Sequence, residues 1–325
     1  MRPAILAAFF ETSHTAVAMC SAGIVILLIG AWAAKKEIIA ARGLDKIVAL
    51  SNLCFAAPLA VFGMLHLFAP DFVKGLVPPY MPGRMFWVYF VGCALIAASL
   101  SIAAKIAVRW SGLLVGIMMF MFVAMLYLPS GLRHMHALAN AVTANIAYPQ
   151  EGNGLARFTW TIVFRESSFG AAAWLLAATA ANGWRGLTKN TLITVGRIVI
   201  ALAAIFFGIQ HFPHHMGLPG VPLRKEMPGW VPARAIIDYV TGAALLACGV
   251  SIVLNWKVRT VAASVGGWIL LLIVVIYGPV MIAALGALQL EVKVEGINYF
   301  ADTLLFAGVI LALASAAPRP DAAPH

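Results

Sequence analysis

The chain has 325 residues, of which 62% are hydrophobic and 10% charged, with a formal net charge of +10. Soluble domains run at about half apolar and a quarter charged, so this composition excludes that class and reads as an integral membrane protein. The positive charge lies in short connections between apolar runs, with no basic patch carrying interleaved aromatics, so it speaks for membrane orientation and lipid contact and against nucleic-acid binding.

A membrane-crossing helix needs about 20 mostly apolar residues. Nine runs approach that rule: 16–34, 47–69, 85–106, 112–128, 158–181, 192–211, 235–254, 261–285 and 299–316. The expected fold is therefore an all-α polytopic bundle of about nine transmembrane helices. The first run lacks a basic leader and a small-residue cleavage site, and Lys35, Lys36 and Glu37 follow it directly, which suits a retained anchor. Domain limits follow: 1–46 for the anchor and its basic loop, 47–190 and 191–316 for two four-helix repeats, and 317–325 for a disordered tail. Cys20, Cys54, Cys93 and Cys248 all fall inside apolar runs and read as small core residues.

Alternate connections differ in charge. Those with Lys35, Lys36, Arg42 and Lys46, with Lys105 and Arg109, with Arg185, Lys189 and Arg197, and with Lys257 and Arg259 are short and basic, which predicts a cytoplasmic position. The opposite connections, 70–84, 129–157, 212–234 and 286–298, are longer and hold most of the acids found in connections, five against two on the basic side. The N-terminus is then expected outside and the C-terminus in the cytoplasm.

The two halves share a pattern. Phe62-Gly63-x-x-His66 closes one apolar run and Phe207-Gly208-x-x-His211 closes another. Arg84, Tyr89, Gly92, Ser101, Arg109, Tyr127 and Pro129 recur 150 positions later as Arg234, Tyr239, Gly242, Ser251, Arg259, Tyr277 and Pro279. Apolar composition alone does not hold Arg, Tyr and Pro in register, so the spacing indicates an internal duplication. Glu166 and Asp302, each two residues after a Phe, match at a spacing of 136. An even number of helices per repeat makes the halves parallel, related by an axis along the membrane normal. On that topology each half brings a His, an Arg, a Tyr and a carboxylate to the outer level: His66, Arg84, Tyr127 and Glu166, then His211, Arg234, Tyr277 and Asp302.

An ionisable group at a helix centre costs roughly 2.5–3.5 kcal/mol on insertion scales, so such groups face the bundle interior and find partners. Glu166 and Asp302 read either as proton-transfer or ligand-binding groups or as anchors that hold helices together. The histidines are equally open. His66 and His211 suit a ligand, quinone or metal, or a helix-end hydrogen bond. His211, His214 and His215, with His134 and His136, form the candidate metal set, for zinc, copper or haem iron, or are solvated loop residues. No C-x-x-C-H haem attachment motif is present. The outer connections around Tyr80, Trp87 and Trp230 are apolar and Pro-rich, as suits segments at headgroup depth.

The Phe-Gly-x-x-His helix end, the apolar Pro-rich connection, the Pro-x-Arg of Pro82 to Arg84 and Pro232 to Arg234, and the Tyr-x-Pro helix end together resemble the DoxX/DoxD-like membrane proteins, over residues 47–316. The resemblance implies two four-helix units fused behind one extra helix. It further implies a bacterial inner-membrane subunit of a quinone-linked oxidoreductase, such as a thiosulfate:quinone oxidoreductase or a terminal quinol oxidase, or a protein that helps membrane partners assemble. Quinone or quinol is then the expected ligand, with haem or a metal a further option. Lipids and partner subunits are the expected contacts. Two alternatives stand beside this reading: a structural or assembly subunit without chemistry of its own, and, for its repeated halves, a small-molecule transporter.

Overall fold

The computed structural model describes residues 13–143, 150–180, 184–214, 216–223 and 225–318. The helices are α1 (His14–Ala40), the single turn α2 (Asp45–Val48), α3 (Ser51–Phe68), α4 (Pro70–Lys74), α5 (Arg84–Ala103), α6 (Val108–Phe122), α7 (Leu128–Thr143), α8 (Gln150–Thr179), α9 (Gly186–Gln210), α10 (Arg234–Val253), α11 (Val258–Leu272), α12 (Gly278–Leu285) and α13 (Leu290–Ala316). Two π-helical turns, Val123–Tyr127 and Ile273–Tyr277, join α6 to α7 and α11 to α12. Among the described residues, the only β-type pairing is one antiparallel bridge between Gly217 and Glu226.

Among the described residues eight stretches are long and apolar enough to cross a membrane, so the chain is a multi-pass, all-α membrane protein. Helix α8 is not among the eight, since Arg165 and Glu166 interrupt its apolar sequence. It nevertheless packs along α6, α9 and α13 inside the bundle. The helices run alternately between two ends. One end gathers His14, His66 and His211. The other gathers Glu37, Lys105, Arg109 and Arg259 around a shared cavity. Thr15 at the start of α1 donates to the Phe68 carbonyl at the end of α3 (3.1 Å), tying the first helix to the histidine end.

Helix boundaries differ from those expected, with one physical reason. Helix α1 continues to Ala40 through Lys35, Lys36 and Glu37, while α8 and α13 begin at Gln150 and Leu290, well before their apolar runs. Polarity marks where a membrane core stops. It does not stop a helix, and these stretches hold no proline. The Tyr-x-Pro motifs also fail to end their helices. In each half a π turn precedes the proline, with the Leu128 and Gly278 N–H groups donating to Val123 and Ile273. A proline clashes with the carbonyl four residues back, and the wider π turn absorbs that clash so that the helix continues.

The elements of the two halves correspond. Helices α5 and α10 each have 20 residues, α6 and α11 each have 15, and the π turns sit at the same register. Their packing crosses between halves. Going round the bundle, α3 packs on α5, α6 on α8, α8 on α9, α9 on α10 and α11 on α13, and α13 closes the ring on α3. Each half therefore seats its last helix against the first helix of the other. Helices α8 and α13 also meet at the centre. Helix α13 is nearly enclosed from Ala301 to Ala314, and Phe55, Phe169, Phe207 and Phe306 fill the middle of one core that spans both halves.

The Phe-Gly-x-x-His motif is a packing device. A methyl group on Gly63 would stand 2.9 Å from the Gly92 carbonyl, and one on Gly208 would stand 2.9 Å from the Gly242 carbonyl. Gly92 and Gly242 in turn accept the Cβ of His66 and His211, each 2.8 Å from where a side chain would begin. Backbones can approach this closely only at glycine. Gly63→Val and Gly208→Val should each lower stability by roughly 1–3 kcal/mol through overpacking. Gly229→Ala, where nothing lies within 4 Å, should leave it unchanged. Thermal melts in detergent measure all three.

Candidate functional site

Three ionisable side chains meet between the central helices. Arg165 and Glu166 lie near the middle of α8 and Asp302 near the middle of α13. The Arg165 guanidinium donates from Nη1 to Asp302 Oδ2 (2.9 Å), and from Nη2 (2.7 Å) and Nε (3.2 Å) to Glu166 Oε1. One planar cation thus serves two carboxylates, a use that the fork of guanidinium donors suits. All three side chains are largely buried, at 12–14% exposure. The set carries one net negative charge, and one proton held by the carboxylates makes it neutral. Tyr127, at the end of the first π turn, stands close enough to feel the charges of all three.

A polar track leads from this triad toward the histidine end. Thr161 lies one helical turn before Arg165 on α8, and Asn298 lies one turn before Asp302 on α13, so each shares a face with the triad residue that follows it. The Thr161 hydroxyl and the Asn298 carbonyl oxygen are buried without a hydrogen-bond partner, as is the indole N–H of Trp160. Beside them runs an aromatic file in which Trp160 tilts against Phe164 (6.4 Å between centroids) and Phe164 stacks on Phe206 (4.4 Å). Buried polar atoms left unpaired are costly, so the track suits water or a polar ligand.

His211 forms a second site. Its Nδ1–H donates to the Phe207 carbonyl (2.6 Å), which leaves Nε2 as the acceptor for the Gly220 N–H (3.0 Å). Asp238 Oδ1 faces that same Nε2 at 3.4 Å and has no hydrogen-bond partner. Two acceptors in contact mark a place for one proton. The loop over the site, Leu218 to Pro222, is buried, and its Pro219 carbonyl accepts a hydrogen bond from the Tyr277 hydroxyl (2.7 Å). This loop is therefore a plug seated in the bundle at its histidine end.

The first half repeats the backbone and not the chemistry. His66 Nδ1–H donates to the Phe62 carbonyl (2.7 Å), but Val88 and Val91 occupy the positions that Asp238 and Thr241 hold in the second half. Thr241 there accepts from the Trp268 indole N–H (2.9 Å), where the first half has Met118.

The expected groups thus sort into separate places. Glu166, Asp302 and Tyr127 come together around Arg165. His211 and Tyr277 share the plug loop. Arg84 and Arg234 hold the chain entering their helices, donating to the Lys74 and Met227 carbonyls. His66 stands half-buried at its helix end. Of the candidate metal set, His136 and His214 are exposed, and His215 and the His134 side chain lie outside the described residues. Among the described residues no three His, Cys, Asp or Glu side chains are grouped to hold a metal ion. Asp238 escaped the residue pattern because it has no partner at the 150-residue spacing. A lone carboxylate one turn after Arg234 in an apolar helix was the available signal.

The fold and these sites define a polytopic helical membrane protein with ionisable groups inside the bundle. No family model, no curated protein and no solved structure matches the chain.

Burial pushes the His211 pKa down to about 4, and its bond to the Phe207 carbonyl offsets this only in part. In the unfolded chain the imidazole titrates near its ordinary value of about 6.5. The stabilisation from burying it neutral is complete above that value and is lost as pH falls toward the folded value, because the unfolded chain then binds the extra proton. Wild-type protein should therefore lose more thermal stability between about pH 7.5 and about pH 5 than His211→Gln does. Equal losses would show that His211 does not control the plug.

Proposed function

We propose that the chain is an integral subunit of a redox or respiratory complex in a bacterial inner membrane, with its histidine end outside, and that its central triad exchanges protons with a bound quinone or quinol. The observation that carries this reading is the buried Arg165–Glu166–Asp302 set, which holds two carboxylates on one guanidinium beside Tyr127. A quinol releases two electrons and two protons when oxidised, so its site needs a donor to the carbonyl oxygen and an acceptor that passes protons on. Tyr127 supplies a hydroxyl for that oxygen, and Glu166 and Asp302 supply the acceptors. The Trp160, Phe164 and Phe206 file offers apolar walls for the ring, and Thr161 and Asn298 lead protons toward the histidine end. Electrons pass to a partner subunit. The resemblance to DoxX/DoxD-like proteins points the same way.

One observation favours a second reading. The Arg165–Asp302 pair joins the two central helices, so the triad also suits a clamp in a structural or assembly subunit. Buried ion pairs can often be replaced by apolar side chains without loss of stability. The triple variant Arg165→Leu, Glu166→Leu, Asp302→Leu separates the readings. On the redox reading it folds but loses co-purified quinone and the turnover of its complex, and Glu166→Gln and Asp302→Asn each weaken quinone binding by about tenfold, equivalent to about 1.4 kcal/mol. A triple variant that keeps full turnover in its complex leaves only the clamp.

A further inference from the structure

His66 and His211 stand 145 residues apart, but Arg84 and Arg234 stand 150 apart, so the connection after His211 is longer by five residues. The extra length matches a tip, residues 218–222, that is buried throughout, where the first half has a mostly exposed connection. An antiparallel bridge between Gly217 and Glu226 closes the neck of this loop. There the Leu218 N–H donates to the Lys225 carbonyl (2.9 Å) and the Met227 N–H to the Met216 carbonyl (2.8 Å). Pro219 and Pro222 flank Gly220, whose φ of 114° suits glycine, so the tip is stiff above a closed neck and moves as one piece.

Among the described residues, two hydrogen bonds tie the tip to the helices: the Gly220 N–H to His211 Nε2 (3.0 Å) and the Tyr277 hydroxyl to the Pro219 carbonyl (2.7 Å). The first depends on a proton. Asp238 Oδ1, buried and without a hydrogen-bond partner, faces the same Nε2 at 3.4 Å. A proton entering between them sits on the imidazole or on the carboxyl, and in either place the resulting bond occupies Nε2. The Gly220 N–H then loses its acceptor. The other charged groups on the packed elements are engaged elsewhere or exposed. Lys225 pairs with Glu295 (2.9 Å) over the Tyr299 ring, Arg234 donates to the Met227 carbonyl, and Arg165 serves Glu166 and Asp302. Tyr239 stacks on Phe212, while Glu226, and His214 with Arg157 near it, lie at the exposed rim.

Behind the tip lies the central triad. A side chain on Gly220 would begin 3.8 Å from Thr303 Cγ2, and Thr303 follows Asp302 directly. Tyr277 stands close enough to feel the charges of both Asp238 and Asp302. We propose that residues 218–222 form a proton-operated gate over the triad: proton uptake between His211 and Asp238 releases Gly220, the tip withdraws, and water reaches Asp302 past Tyr277 and Thr303. As regulation of the triad's proton exchange this rests on the function proposed above; the movement itself does not. Acid at the histidine end opens the gate. Burial holds His211 down at about 4 in the closed form. In water the imidazole returns toward about 6.5, so the open form binds the proton more readily and gains as pH falls.

The test uses the full chain in neutral detergent, without quinone or partner. In the wild type, hydrogen-exchange protection of the Gly220 and Val221 amides, corrected for intrinsic exchange, should fall about tenfold between about pH 7.5 and about pH 5. Over the same range Thr303→Cys should react about tenfold faster with a water-soluble thiol reagent, relative to Gly229→Cys as an exposed reference. Buried Cys248 should stay unlabelled. In His211→Gln the side-chain carbonyl still accepts from Gly220 but takes no proton, and both responses should disappear. The gate is overturned by protection that does not change with pH, by a response that persists in His211→Gln, by a Cys at 303 that stays unreactive while the loop exchanges, or by Cys248 reacting in step. Since no ligand is present, a failed gate leaves the quinone reading standing, and lost quinone binding leaves the gate standing.

Discussion

The bundle is organised around a guanidinium shared by two carboxylates at its centre. Arg165 joins α8 to α13, and every other long helix except α5 and α10 packs on one or both of these two. Lipid cannot solvate three ionisable groups at that depth, so they must satisfy one another. The consequence is directional. A helix bearing Arg165 and Glu166 is forced to the interior, and its partner must present a carboxylate, which places Asp302 and encloses α13. Charge thus decides which helices are central in a chain where almost every helix is apolar enough to face lipid.

Around that centre the two halves share a backbone and differ in chemistry. The glycine contacts, the π turns before Pro129 and Pro279, and the imidazole bonded to a helix carbonyl are common to both. The second half adds Asp238, Thr241 and Trp268 and seats a buried loop over His211; the first half has valines and a methionine at those positions and a mostly exposed connection. The first half contributes Tyr127, Arg165 and Glu166 to the central cluster and the second half Asp302, whereas the plugged histidine site lies within the second half alone.

Much of the architecture was legible in the residues because its signals are local. Runs of about 20 apolar residues report spans, and repeated Arg, Tyr and Pro positions report matching elements. The histidine motif located two helix contacts, though its meaning changed: Phe62 and Phe207 supply carbonyls for the imidazoles, and Gly63 and Gly208 allow a neighbouring helix to approach. Ends were less legible. Lys35, Lys36 and Glu37 extend α1, and the prolines after Tyr127 and Tyr277 follow a π turn, because helix continuity depends on backbone hydrogen bonds that polarity does not report.

The sequence by itself determined an all-helical membrane protein and its approximate spans, and it pointed to the end of the bundle that holds His14, His66 and His211. Tertiary structure alone decided that each half closes on the other, that Glu166 and Asp302 share Arg165, that Asp238 faces His211, and that basic residues distant in sequence surround one cavity. The physical reason is that side-chain periodicity specifies one helix at a time. Partners between helices depend on the order of packing, and in a membrane apolar surface does not choose that order, since lipid covers it equally well. Close packing at glycine and the few buried charges make the choice.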